Sequence, residues 1–219
     1  MSQVDDIYQA LRNEIISGSL REDTPLREND LAKRFNVSRT PIREVLHRLS
    51  SEKLVRTVPN SGAFVGAFSW EDAREIFSIR QVLEAFAAGL ACIRINQQDI
   101  NQFEDIYSRM LDCQKTNDIH EYSKQDEDFH ELINQLSGNK HLIEEIQLLN
   151  DRVRLTGLRK DLYRQGRIRE SLDGHRKIID AFIDHDQNRV ASLMLNHGQE
   201  IFGDITQAHI TSIFNKQEE

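Results

Sequence analysis

The stretch LRENDLAKRFNVSRTPIREVLHRLSSEKLV, residues 26–55, constrains the fold more than any other part of the chain. Leu31, Ala32, Phe35, Val37, Ile42, Val45, Leu46 and Leu49 are spaced for two short helices joined by a tight turn. Ala32 is small enough to let the second helix cross the first closely, and Val37 plugs the turn. Asn36 stands where a left-handed backbone is needed and tolerates it. Ser38 is placed to cap the second helix, and Pro41 falls in its first turn, where a missing N–H does no harm. This is the pattern of a helix-turn-helix. Upstream, Ile7, Leu11 and Ile15, with Tyr8 and Ile16 beside them, mark a further helix that Gly18 stops, and REDTP follows as a polar loop. Downstream the period changes. Val55, Val58, Phe64 and Val65 flank Pro59-Asn60-Ser61-Gly62, a β-hairpin turn. Helix, helix-turn-helix and hairpin together make a winged helix over residues 1–68.

Charge supports the same reading once it is divided by region. The chain of 219 residues carries a net charge of -8, which by itself argues against a polyanion partner. Residues 1–68 hold 10 basic and 9 acidic residues, and 27–56 hold 8 basic against 4 acidic, so the acidity belongs to 69–219. A locally basic segment on an acidic chain is the footprint of a DNA-reading module joined to something else. Arg39 and Arg43 lie four apart near the start of the expected recognition helix and share a face, from which arginine bridges guanine O6 and N7 in the major groove. Arg27 opens the preceding helix, Thr40 offers a hydroxyl to phosphate, and the wing tip from Asn60 to Gly62 is small enough for a minor groove. A solvated basic face on a small helical domain is the alternative for the same residues.

These residues resemble the DNA-binding domain of the GntR family of bacterial transcription regulators. The run S-R-T-P-I-R-E-V-L-x-R-L carries the resemblance, which covers essentially 5–66. It implies operator contacts for Arg27, Arg39, Thr40, Arg43 and Gly62. One departure is Asp23-Thr24-Pro25, where the family usually has Pro-Gly.

From 69 onward the pattern is helical. Ser69 with Asp72 makes a capping-box start. The next helix shows an apolar face of Ile76, Ile79, Leu83, Phe86 and Leu90. Further helices are expected at about 98–116, 119–137, 139–164, 166–186 and 188–214, with breaks at Asn117-Asp118, Ser137-Gly138-Asn139, Gly166 and His185-Asp186. The fold class expected is mainly α: the winged helix over 1–68, then an all-α antiparallel bundle over 69–219. No strand, repeat or low-complexity tract is evident after 68. No apolar run approaches the ~20 residues of a membrane span, and the N-terminus lacks a basic region followed by an apolar one. Cys92 and Cys113 have no metal-ribbon spacing, so a reducing cytoplasm is expected.

Among eight histidines, three stand in a helical apolar context. His130 follows Asp126 by four residues, so both point one way from one helix. His175 lies beside Ile178 and Ile179, and His197 beside Leu193 and Met194. Three imidazoles and a carboxylate converging in a bundle would form an N3O site for Zn²⁺, Ni²⁺, Mn²⁺, Co²⁺ or Fe²⁺. Spacing alone leaves ordinary core histidines as the alternative. His47, His120, His141, His185 and His209 sit among polar or terminal residues and are not expected to be ligands.

Residues 69–210 resemble the effector domain of the FadR-type branch of the family, the FCD domain, in its six-helix, VanR-like form. D-x-x-F-H, then D-x-H-x-x-I, then a last His 22 residues later carry this resemblance. It implies a metal on Asp126, His130, His175 and His197, a small organic acid bound beside it, and Arg80 near that pocket as a bidentate anchor. Arg152 and Arg154 are weaker anchors, and surface ion pairs are the alternative for all three. No phosphate loop or nucleophile elbow is present, and Glu127 and Asp128 point off the ligand face, so an enzyme is not expected. The reading is therefore a homodimeric regulator, more often a repressor in this family, on a pseudopalindromic double-stranded operator, with no membrane partner. A regulator for which the ion itself is the signal, and a helical metalloenzyme with an appended DNA-binding module, are the alternatives.

Overall fold

The computed structural model describes residues 2–155 and 168–197. It divides into two compact units. The first holds residues up to Ala73 with the stretch that begins at Leu148, and the second begins at Arg74 and resumes after that stretch.

In the first unit, α1 (Gln3–Ile16) opens with a reciprocal Ser2–Asp5 capping box and buries Ile7, Tyr8, Leu11 and Ile15. After it come α2 (Glu28–Phe35) and α3 (Arg39–Ser51). Asn36 ends α2 in the left-handed region at φ 53°, as its place in the turn requires. Ser38 occupies the N-cap of α3 with extended backbone but makes no side-chain cap hydrogen bond, so the capping expected of it is positional only. Ile42, Val45, Leu46 and Leu49 of α3 close the core with Leu31 and Ala32. The wing is β2 (Val55–Val58) and β3 (Gly62–Val65), paired antiparallel in the register Val55↔Val65 to Val58↔Gly62. At φ 99°, Gly62 occupies backbone space that side chains rarely enter.

The segment read as a polar loop contributes a third strand. β1 (Pro25–Leu26) pairs antiparallel with β3, Leu26 opposite Ala63, giving the order β1-β3-β2. Two residues carry no period, and Leu26 becomes a core residue only because β3 supplies an edge for it to pair with.

Among the described residues, six helical segments follow the wing. They are α4 (Trp70–Arg94), α5 (Gln97–Thr116), α6 (Ile119–Leu136), α7 (Lys140–Leu155), α8 (Ile168–Ile183) and a segment over 187–197, here α9. The expected extensions of helices through 156–167 and 198–214, with Gly166 and His209, lie outside the described residues. Ser69 and Asp72 make their expected reciprocal bonds at the start of α4. Asn96 and Asp99 repeat that device on α5, and Asn117 ends α5 at φ 55°.

The face of α4 is the main correction. Of the apolar face read from the sequence, Ile79 is 55% and Phe86 56% exposed, while Leu83 and Leu90 are partly buried against Ala87, Leu142 and Ile146. The buried side instead carries Ala73, Phe77, Arg80, Glu84, Ala87, Ala88 and Ala91. Small residues let neighbouring helices approach closely, so the face with less apolar bulk is the one inside. By length and mean hydropathy (1.5), Glu71–Arg94 matches a membrane span, contrary to the expectation from apolar runs, but 56% of that stretch is buried within the protein. In the second unit α5 packs against α6 and α8. Phe103 lies against Phe129 (ring centroids 5.1 Å apart) and stacks on Phe182 (5.3 Å). Cys92 and Cys113 are buried free thiols whose pKa values burial pushes up, which makes them poor nucleophiles.

Candidate functional site

The first unit carries the candidate nucleic-acid face. Arg27, Arg39, Thr40, Arg43, Asn60 and Gly62 are all exposed. Arg39, Thr40 and Arg43 ride on the first turns of α3, Arg27 is the N-cap residue of α2, and Asn60 and Gly62 form the tip of the wing. Between α3 and the wing lies a notch of about 520 Å³ that includes Arg27, Arg43 and Gly62 in its wall. Sequence reasoning missed Glu28, which shares this wall. Arg43 donates through Nε to both Glu28 oxygens, at 2.9 and 2.8 Å. That pair engages Nε of a long exposed side chain and orients its guanidinium.

Arg152 and Arg154 have their described partners in this first unit. Arg152 Nε donates to the backbone carbonyl of Glu52 (2.9 Å), and Arg154 stands 3.7 Å from Asp151 Oδ1. Asp151 is buried and paired with Arg12.

The second unit brings Asp126, His130, His175 and His197 together. One donor atom from each lies within 4.8 Å of all the others, and all four residues are buried. α6 supplies Asp126 and His130 one turn apart, α8 supplies His175, and α9 supplies His197. His175 Nε2 is 3.3 Å and His130 Nε2 3.9 Å from Asp126 Oδ1. Phe129, the neighbour of His130 in sequence, packs under the His175 ring at 4.4 Å and joins the site to the aromatic core. Gly174 is shaped to His197: a Cβ there would fall inside 3.0 Å of His197 Nδ1, and 3.1 Å from Cε1. No spacing rule announces that requirement.

Electrostatics suit a cation. Burial is the main force on His130 and His197, driving the first well below the usual imidazole range and the second down to about 3. Both rings are therefore neutral near pH 7, as a metal ligand must be. Both nitrogens of His175 and of His197 are buried without a hydrogen bond among the described residues. An imidazole in a core normally satisfies at least its N–H, so four such atoms at one point need an explanation. A divalent ion on an N3O set supplies one. Beside the cluster, Arg80 is buried, lies 4.3 Å over the Phe77 ring and pairs with Glu84 at 3.5 Å. Glu84 in turn stands 3.6 Å from His130 Nδ1. Sequence reasoning found Arg80 and missed Glu84. Asp128 is exposed.

Comparisons with known proteins identify the families of both parts of the chain. Residues 3–65 match the gntR family of bacterial regulatory proteins, and residues 75–200 match the FCD domain. The gluconate operon transcriptional repressor of Bacillus licheniformis is 32% identical over 209 residues, covering 89% of this chain and 80% of that protein. The HTH-type transcriptional repressor RspR of Escherichia coli is 28% identical over 204 residues, covering 92% and 88%. Among solved structures, E. coli McbR/YncC shares the fold with a TM-score of 0.73 at 22% identity, covering 95% of this chain and 99% of that one. A winged helix whose basic face is open, joined to an all-helical domain of the matched type, places this chain in the GntR family: it is a DNA-binding transcriptional regulator with an FCD domain.

Proposed function

We propose that the protein is a repressor whose hold on a pseudopalindromic operator is set by a small organic acid bound at a divalent metal in the helical domain. The convergence of Asp126, His130, His175 and His197, with the ring nitrogens of His175 and His197 making no hydrogen bond among the described residues, carries the metal half of this reading. When bound, the ion is a Lewis acid that can take a carboxylate oxygen in a position its protein ligands leave open. Arg80, buried beside the cluster, is the group to hold that carboxylate. Arg152 and Arg154 are the weaker candidates for the same role; within the first unit they face Glu52 and Asp151. The repressor assignment is supported by relatives that carry that name, and a DNA partner places the protein in the cytoplasm.

A homodimer completes the reading, because a pseudopalindrome is read by two recognition helices. It is supported by the exposed stripe on α4. Ile79, Val82, Phe86 and Ile93 are 55–65% exposed, and with Ile76, Leu83 and Leu90 they follow the three-four spacing of a helix seam. An apolar stripe that meets its own copy is self-complementary, as a two-fold interface requires.

Two measurements test the reading. Metal content of the protein, compared with that of His175→Ala, is expected to fall in the variant, and full stoichiometric retention would contradict the ligand set. Operator binding is then titrated with small carboxylic acids at fixed metal, and with metal at fixed acid. Release by the acids supports the proposal, whereas release by metal alone makes the ion the signal. On the DNA side, Arg43→Ala is expected to cost ~1–3 kcal/mol of operator affinity and to relax base preference. A competition assay that shows unchanged discrimination between operator and scrambled duplex would remove Arg43 from the recognition surface.

A further inference from the structure

Glu84 has no part in the ligand set. It is buried on α4, with Arg80 one turn before it and His130 of α6 in front of it. A buried carboxylate beside a buried arginine needs no further explanation. Its second approach does. Glu84 Oε2 stands 3.6 Å from His130 Nδ1, while the opposite nitrogen of that ring, Nε2, faces Asp126 Oδ1 at 3.9 Å. His130 thus has one nitrogen directed into the cluster and the other toward a carboxylate. An imidazole that gives one nitrogen to a metal carries its proton on the other, and a carboxylate on that side fixes both the tautomer and the ring plane and makes the ligand nitrogen more basic.

We infer that Glu84 is a positioning residue for the metal centre, orienting His130 through Nδ1 and tying it to the Arg80 guanidinium. The inference rests on the metal reading proposed above. It adds that the carboxylate anchor and one metal ligand share a single side chain. Glu84 faces Arg80 through Oε1 and His130 through Oε2, so whatever draws Arg80 away is felt at His130. The distance of 3.6 Å is just outside hydrogen-bond range.

The experiment measures affinity for Zn²⁺ and Ni²⁺ by competition with a chromophoric chelator, on the full-length protein without added acid. Glu84→Gln is expected to bind 10–100-fold more weakly than the unmodified protein. That substitution also strands the Arg80 charge, so the deciding variant is Arg80→Gln with Glu84→Gln. Removing both charges leaves the net charge of the pair unchanged, and a loss of tenfold or more that persists reports orientation and not charge. A shift of the visible bands of the Co²⁺-loaded double variant is the accompanying signature. If the double variant binds as tightly as the unmodified protein, with the same Co²⁺ bands, Glu84 serves only to neutralise Arg80 and the inference falls while the metal reading stands. If the unmodified protein itself takes up no ion, both fall together.

Discussion

Gly174→Ala is expected to strip the Asp/His cluster of metal while leaving its four donor residues in the sequence. The added Cβ would sit inside 3.0 Å of His197 Nδ1 and 3.4 Å from Cγ, so the ring must leave its place or α8 must shift. α8 has little room to shift. Leu172, Ile178, Ile179, Ala181 and Phe182 anchor it in the core, and Phe182 stacks on Phe103. The ring therefore yields. We expect metal affinity to fall by about 100-fold, the upper end of what misplacing a ligand's support costs. The helix itself gains, because alanine favours a helix interior over glycine by about 1 kcal/mol. The two effects separate cleanly. Metal content and chelator competition report the loss, and helicity by circular dichroism should be unchanged or slightly higher. Thermal stabilisation by added metal, which scales with ion concentration over Kd, should shrink in step. A variant that keeps stoichiometric metal at unmodified affinity would show that His197 is not held where the structure places it.

The second large effect is expected from Phe86→Glu. Phe86 is more than half exposed on α4 between Val82 and Ile93. In a monomer this substitution should be nearly neutral, because a surface glutamate on a helix costs little. At a self-complementary seam it places two carboxylates where two apolar rings would meet, which is a strongly unfavourable burial of charge. Light scattering on the purified protein is expected to show half the mass of the unmodified protein. Operator binding should then fall by 10²–10⁴-fold, because the second half-site is no longer engaged at high effective concentration. Affinity for an isolated half-site should hold, since α3 and the wing are untouched. A Phe86→Glu protein that stays dimeric would move the interface off α4.

Both predictions depend on features that differ in how far the sequence announces them. The helix-turn-helix was legible because its residues act locally: Val37 plugs a turn five residues from both Ala32 and Ile42, and Asn36 takes a left-handed backbone by its own chemistry. The Asp126–His130 pair was legible for the same reason, since one helical turn fixes its direction. His175 and His197 stood out by their apolar helical context, but only the resemblance joined them to that pair, because no spacing rule spans the gaps between helices. The apolar face of α4 was legible, but not that Ile79 and Phe86 on it stay exposed while Leu83 and Leu90 pack inward. Periodicity finds a face but does not say which of two opposed faces goes inside, and here the alanine face with Arg80 and Glu84 went in.

The sequence alone determined the winged helix, the surface arginines and the one-turn metal pair, because contacts within a few residues of each other are set by backbone geometry and side-chain type. Tertiary structure decided which face of α4 is buried, that Gly174 must lack a side chain, that Leu26 joins a sheet, and that Glu84 stands behind His130. Each of these is a meeting of residues far apart in the chain, where packing of whole helices, and not local preference, fixes the distance.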